Sequence, residues 1–182
     1  AYSNVYLAGA GGQIYGNRSY GATVGIDAYS EVTALPVVIH DNIVYDNYSI
    51  GISASGLGVR VVDNTVYGHV SLSSSMGITV WEATVTGNRV SGNAYGISAA
   101  GFATRLEDNR IFGNVLGLHA TQSPLVHGNS IYSNERGIEG NSFSGRLRNN
   151  LIYDNHSVAV SLQTTLVGAE LINNTLVQSG GV

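Results

Sequence analysis

The chain has 182 residues, including 24 glycines, 17 asparagines and no lysine or cysteine, and its formal net charge is −4. This length fits one domain with a sizeable core, and the content of Val, Ile, Leu and Tyr excludes an intrinsically disordered chain. The lack of cysteine excludes disulfide scaffolds and thiolate metal sites, the acidic charge argues against nucleic-acid binding, and no apolar run approaches the ~18 residues of a membrane span, so we expect no membrane insertion.

One short motif recurs along the chain. It consists of an asparagine, any residue, an aliphatic residue, often an aromatic residue, any residue and a second asparagine. The copies read GQIYGN (12–17), NIVYDN (42–47), NTVYGH (64–69), NRVSGN (88–93), NRIFGN (109–114), NSIYSN (129–134), NLIYDN (150–155) and NTLVQS (174–179). They start 20–24 residues apart, except for a first step of 30 that we attribute to an insertion near 28–36. A fixed period of this size is typical of solenoid proteins.

Each repeat contains three short segments of alternating polarity, bounded by Gly, Asn, Asp or Ser, and no segment has helical periodicity. We therefore predict an all-β fold in which about 7–8 coils of 20–24 residues stack as a parallel β-solenoid, with three short strands per coil.

The leading asparagines are expected to lie at the corners of the coil. There they would tolerate a left-handed backbone and bond to one another through their amides as a structural ladder. The predicted ladder consists of Asn42, Asn64, Asn88, Asn109, Asn129, Asn150 and Asn174, with Gly12 at the corresponding position of the first copy. His69 replaces the second asparagine of its copy and is expected to take the place of that asparagine in the ladder.

We expect residues 1–182 to form a single β-helix domain. The chain does not begin with Met, and neither 1–12 nor 176–182 resembles the amphipathic helix that commonly caps a solenoid. We therefore interpret the chain as a segment of a longer protein, in which flanking domains or a capping partner cover its ends.

Three successive repeats are expected to present charged side chains on one outer face, which we call the arginine face. If the leading asparagine points inward, the residues two and four positions before it point to solvent. These positions hold Arg105, Glu107, His127, Arg146 and Arg148. Arginine forks suit carboxylates or sulfates, so this face is a candidate site for an anionic glycan. The alternative is a solvated surface whose charges pair internally.

Two further outward columns carry candidate groups. His119 and Glu139 follow the Gly-Ile or Gly-Leu pairs of adjacent repeats, so they form either an acid/base pair or a simple surface contact. The third position after the leading residue is mostly aromatic, and its rings could stack on sugars or on one another. This column comprises Tyr15, Tyr45, Tyr67, Ser91, Phe112, Tyr132 and Tyr153. Arg89 and Arg110 lie in adjacent repeats beside it.

The repeats resemble the right-handed parallel β-helix repeats of the pectate-lyase-like superfamily, especially those of mannuronan C5-epimerase-like proteins. This resemblance covers nearly the whole chain and implies a right-handed coil. In uronate lyases and epimerases, a cation or acid neutralises the sugar carboxylate and a base removes the C5 proton. Arginine and histidine could supply both roles here. The Asp-Pro-His element of the epimerases is absent, however, so no catalytic residue is assigned.

The sequence predicts a carbohydrate-contacting β-helix module of a bacterial protein that is secreted, exposed at the cell surface or periplasmic. The expected ligand is an anionic, uronate-type polysaccharide. Two alternatives stay open, a fragment of a polysaccharide lyase or C5-epimerase and a non-catalytic spacer or adhesin stalk, so enzymatic activity is undecided. We expect no cofactor and no metal site. Calcium is the one alternative, although Asp41 and Asp63 alone provide too few carboxylates for a pectate-lyase-like calcium site.

Overall fold

The computed structural model describes residues 2–164 and 168–178, and these fold into eight stacked coils built from β-strands alone. Each coil contributes one strand to each of three parallel sheets, and each sheet has eight strands in chain order. The predictions of an all-β fold, of about eight coils and of three strands per coil are therefore confirmed. No helix in the described part of the chain is long and apolar enough to cross a membrane.

Sheet A contains the longest strands, and sheets B and C follow it in each coil. The strands of sheet A are Ser3–Ala8, Val24–Tyr29, Ile50–Ser55, Met76–Trp81, Tyr95–Ala100, Leu116–Gln122, Arg136–Phe143 and Val158–Gln163. Those of sheet B are Gly12–Tyr15, Val37–His40, Val59–Val62, Thr84–Thr86, Arg105–Glu107, Leu125–His127, Arg146–Arg148 and Glu170–Ile172. Those of sheet C are Arg18–Ser19, Ile43–Tyr45, Thr65–Tyr67, Arg89–Ser91, Arg110–Phe112, Ser130–Tyr132, Leu151–Tyr153 and Thr175–Val177.

The core is a stack of aliphatic side chains inside the coil. Inward positions of sheet B are fully buried from the second to the seventh coil, as at Ile39, Val85 and Leu147. The corresponding positions of sheet C, such as Val90 and Ile111, are equally buried. Because side chains alternate along a strand, the residues between the buried ones point to solvent. The buried positions therefore determine which residues form the outer faces of the coil.

The leading asparagines form a continuous hydrogen-bonded ladder at the corner between sheets B and C. In each coil but the last, the amide Nδ2 donates to Oδ1 of the next asparagine at 2.9–3.1 Å. The same Oδ1 also accepts the backbone N–H of the preceding ladder residue, as between Asn42 and Asn64 at 3.0 Å. Since buried polar groups are costly without partners, these bonds explain why asparagine recurs at this place.

Two details of the predicted ladder are wrong. The first member is Asn17 rather than Gly12, because Gly12 opens a strand of sheet B while Asn17 donates to Asn42. The first ladder residue therefore lies five positions later than predicted, and the first step along the ladder is 25 residues rather than 30. The left-handed backbone also lies one residue before the ladder, at positions such as Asp41 and Asp63, with φ of 53° and 52°.

A second ladder runs along the corner between sheets C and A, and it explains the recurring Gly-Ile pairs. Asn93, Asn114, Asn134 and Asn155 are linked at 3.0 Å. The glycines pack directly against this ladder. A Cβ atom on Gly77 would lie 2.8 Å from Asn93 Nδ2 and 2.7 Å from the carbonyl oxygen of Gly96. At Gly77 a side chain would therefore collide with both the ladder and the next coil.

His69 continues the second ladder, as predicted. Its Nδ1 lies 2.8 Å from Asn93 Oδ1 and its Nε2 lies 3.4 Å from Asn47 Nδ2. A neutral ring that carries its proton on Nδ1 therefore accepts from one side and donates to the other, as an asparagine amide would. The ring is completely buried.

Candidate functional site

The residues of the arginine face come together on the outer surface of sheet B. Parallel register aligns Arg105, Leu125, Arg146 and Glu170 in one row. A second row beside it contains Glu107, His127, Arg148 and Ile172. The five predicted side chains thus lie on three successive coils, which are about 4.8 Å apart.

Two of the three arginines on this face are paired with carboxylates. Arg105 Nη2 lies 2.7 Å from Glu107 Oε1, and Arg146 Nε lies 2.7 Å from Glu170 Oε2. All four side chains are at least partly exposed, so each pair is worth only about 0–1 kcal/mol. Arg148 is exposed and has no ion-pair partner in residues 2–164 and 168–178. The arginine face therefore presents two guanidinium groups in weak ion pairs and a third, that of Arg148, without an ion-pair partner in the described residues.

A cleft of about 330 Å³ adjoins the arginine face where the coil turns from sheet A to sheet B. It lies across three successive turns and is lined by 102–105, 123–125 and 144–146. Arg105 and Arg146 form part of its wall, and the side chain of Phe102 is 71% exposed beside it. The cleft thus places two arginine side chains and an accessible aromatic ring around one open space.

The turn that carries Phe102 is fixed by Glu82. The carboxylate of Glu82 accepts hydrogen bonds from the backbone N–H groups of Phe102 and Ala103 at 2.9 and 2.7 Å. The backbone N–H of Glu82 donates in turn to Thr104 Oγ1 at 2.9 Å. These bonds tie the turn to the preceding coil, so this wall of the cleft is preorganised.

A second hollow, of about 270 Å³, lies on sheet A and is lined by the strands of the third, fourth and fifth coils. Trp81 is its largest side chain and is 48% exposed. Its neighbours in register are the small residues Ser55 and Ala100, so no bulky side chain of its own column covers the indole faces. Hydroxyl groups of Ser53, Thr79 and Ser98 line the rest of the hollow.

His119 and Glu139 are register partners on sheet A, as the repeat predicts. Each side chain, however, is held by a different group. His119 Nε2 lies 3.1 Å from Asn141 Nδ2, whereas the carboxylate of Glu139 pairs with Arg136. The arrangement therefore gives neither residue an evident role as an acid or base.

The aromatic column on sheet C is formed mainly by rings that stack on one another. Tyr20, Tyr45 and Tyr67 stack at 5.0 and 5.3 Å between centroids, and Phe112, Tyr132 and Tyr153 stack at 5.1 and 4.9 Å. Tyr15 does not belong to this column, since it stacks on His40 of sheet B. This correction follows from the changed position of the first coil.

Phe102 and Trp81 were not singled out from the sequence. Trp81 is the only tryptophan and occupies an outward strand position, which was an available signal. Phe102 lies in a turn outside the repeated motif, where sequence periodicity assigns no facing. No group of three or more His, Cys, Asp or Glu side chains is placed to hold a metal ion in the described part of the chain.

Comparison with known proteins agrees with this architecture. A family model described as "Right handed beta helix region" matches residues 37–176. It confirms the right-handed coil that the resemblance implied. No curated protein matches the chain.

Several solved structures are similar to the chain. The A-module of mannuronan C-5 epimerase AlgE6 from Azotobacter vinelandii matches with a TM-score of 0.76 and 15% identity, over 94% of this chain and 54% of that one. The periplasmic alginate epimerase AlgG matches with a TM-score of 0.72 and 18% identity, over 90% of this chain and 43% of AlgG. XylC in complex with xylose matches with a TM-score of 0.59 and 22% identity, over 69% of this chain and 22% of XylC. The chain thus spans about half or less of these proteins, and at these identities the likeness shows the fold alone.

Proposed function

Because the chain belongs to the right-handed β-helix family, whose stacked coils present long regular outer faces, we propose that it is a carbohydrate-contacting module that binds acidic, uronate-type polysaccharide. In this proposal it is one β-helix unit of a longer bacterial protein that is secreted, exposed at the cell surface or periplasmic. Similarity to mannuronan and alginate epimerases and to XylC in complex with xylose supports a carbohydrate ligand.

The observation that carries the proposal is the cleft beside the arginine face. It crosses three coils, so an extended chain can lie along the solenoid axis and pass from one coil to the next at each step of about 4.8 Å. Arg105 and Arg146 are two coils apart on its wall. Exposed aromatic rings such as Phe102 suit the apolar faces of sugars, whereas arginine forks suit their carboxylates.

The ion pairs within the face do not prevent such binding. A uronate carboxylate can replace Glu107 on Arg105 or Glu170 on Arg146 with similar geometry. Because exposed pairs contribute only about 0–1 kcal/mol, their exchange costs little. Arg148 needs no exchange at all. The interaction requires no metal or cofactor, since the guanidinium groups neutralise the carboxylates directly.

Titration calorimetry with a trigalacturonate or a mannuronate oligomer tests the proposal. We expect the double variant Arg146→Gln/Arg148→Gln to bind at least about tenfold more weakly, which corresponds to the loss of about 1.4 kcal/mol. Arg60→Gln is the matched control, because Arg60 is exposed in the same column of sheet B but lies outside the cleft. Its affinity should equal that of the wild-type chain.

Two results would contradict the proposal. One is the absence of binding heat with every uronate oligomer tested. The other is equal affinity of the double variant and the Arg60→Gln control. A neutral oligosaccharide of the same length serves as the ligand control and should bind much more weakly than its acidic counterpart.

A further inference from the structure

The aromatic column of sheet C has a gap in its fourth coil, and an arginine fills the vacant layer. Ser91 occupies the position that Tyr67 holds in the coil before and Phe112 in the coil after. The Arg89 guanidinium carbon lies 4.3 Å from the centroid of the Phe112 ring. The opposite face of that ring stacks on Tyr132 at 5.1 Å. A cation therefore continues a stack of rings.

Arg89 lies next to a second arginine, in the outward column of sheet C that runs beside the aromatic column. Parallel register pairs Arg89 with Arg110, and both side chains are exposed. Neither is within 4 Å of a carboxylate among residues 2–164 and 168–178, whereas Arg105, Arg136 and Arg146 each have a glutamate partner. On a chain with a net charge of −4, two neighbouring unpaired arginines form a local positive site.

The stacking of Arg89 determines which ligand chemistry fits this site. A ring covers one face of its guanidinium, so its hydrogen-bond donors point outward in the guanidinium plane. A carboxylate can approach these donors edge-on and accept two bonds.

We propose that Arg89 and Arg110 form a second acidic-sugar site, which binds the carboxylate of a uronate residue at the two guanidinium groups. This site lies on sheet C, whereas the cleft lies beside sheet B. It therefore does not depend on the function proposed for the cleft. Two binding faces would let one rod contact two polysaccharide chains.

The test follows the Nε–Hε NMR signals of the arginines during titration with trigalacturonate, using the Arg146→Gln/Arg148→Gln chain, in which binding at the cleft is expected to be at least about tenfold weaker. We expect the Arg89 and Arg110 signals to shift and to saturate. Maltotriose, which carries no carboxylate, should leave both signals unchanged. Absence of a saturable shift, or an equal shift with maltotriose, would overturn the proposal.

Variants assign the effect to the named side chains. Arg110→Gln should weaken binding at this site about tenfold. Arg18→Gln is the matched control, because Arg18 is exposed in the corresponding column of the first coil, where its register partner is Ile43. Its affinity should equal that of the parent chain. Unchanged affinity in Arg110→Gln, a variant that leaves the Arg89–Phe112 stack in place, would refute the assignment.

Discussion

Replacement of His69 by asparagine should make the stability of the solenoid less sensitive to acid. The buried imidazole accepts a hydrogen bond from Asn47 and donates one to Asn93, and only the neutral ring can do both. Burial lowers the pKa of His69 below its usual 6.5, against the smaller raising effects of the bond to Asn93 and of the negative charge of Asp46. Protonation in the folded state is therefore resisted.

The sign and size of the effect follow from proton linkage. Below pH 6.5 the unfolded chain binds a proton at His69 more readily than the folded chain does. The contribution of neutral His69 to the free energy of unfolding is therefore fully present above about pH 6.5. It is lost as the pH falls from there toward the lower pKa of the folded state. One such group changes this free energy by at most about 1.4 kcal/mol per pH unit.

Urea unfolding of wild type and His69→Asn at pH 7.5 and pH 5.5 measures this contribution. Between these two values we expect the wild type to lose up to about 1.4 kcal/mol more than the variant. Comparing the pH-induced changes removes the contributions of groups that titrate alike in both proteins. His156→Asn is the matched control, because His156 is exposed beside the ladder residue Asn155. Equal losses in wild type and His69→Asn would refute the reasoning.

Three further changes test other parts of the structure. Gly77→Ala should lower the free energy of unfolding by about 1–3 kcal/mol, because the added methyl group meets the next coil, and unchanged urea unfolding would contradict this packing. Phe143→Ala should cost about 3–5 kcal/mol in the same assay, since the ring is fully buried, and a loss below 1 kcal/mol would show that the site collapses freely. Glu170→Gln should release Arg146 and tighten uronate binding by up to about fivefold in calorimetry, whereas weaker binding would count against a role of Arg146 in the cleft.

The repeat made the interior predictable and the first coil less so. Residues such as Ile39 and Asn64 recur at fixed distances, and burial of one period-two face determines which of them point inward. The six-residue motif is itself nearly symmetric, with an asparagine at each end and an aliphatic residue between. The first copy could therefore be aligned on Gly12 although Asn17 is the ladder residue.

The candidate sites likewise contain parts that the repeat predicts and parts that it does not. The rows of Arg105, His127 and Arg148 could be predicted because parallel pairing carries repeat position directly into register. The cleft could not, since it arises from turns outside the motif, where Phe102 takes its place only through the hydrogen bonds of Glu82. Likewise, the gap at Ser91 was visible in the sequence, but the placement of Arg89 over Phe112 was not.

The sequence by itself therefore determined the coil, its two ladders and the column to which most side chains belong, because a strictly local period is repeated by each neighbour in the stack. Only the tertiary structure decided which charges are neutralised, which rings remain accessible and where a cavity opens. Those properties depend on side-chain conformations and on turns of different length, which meet only when successive coils are stacked.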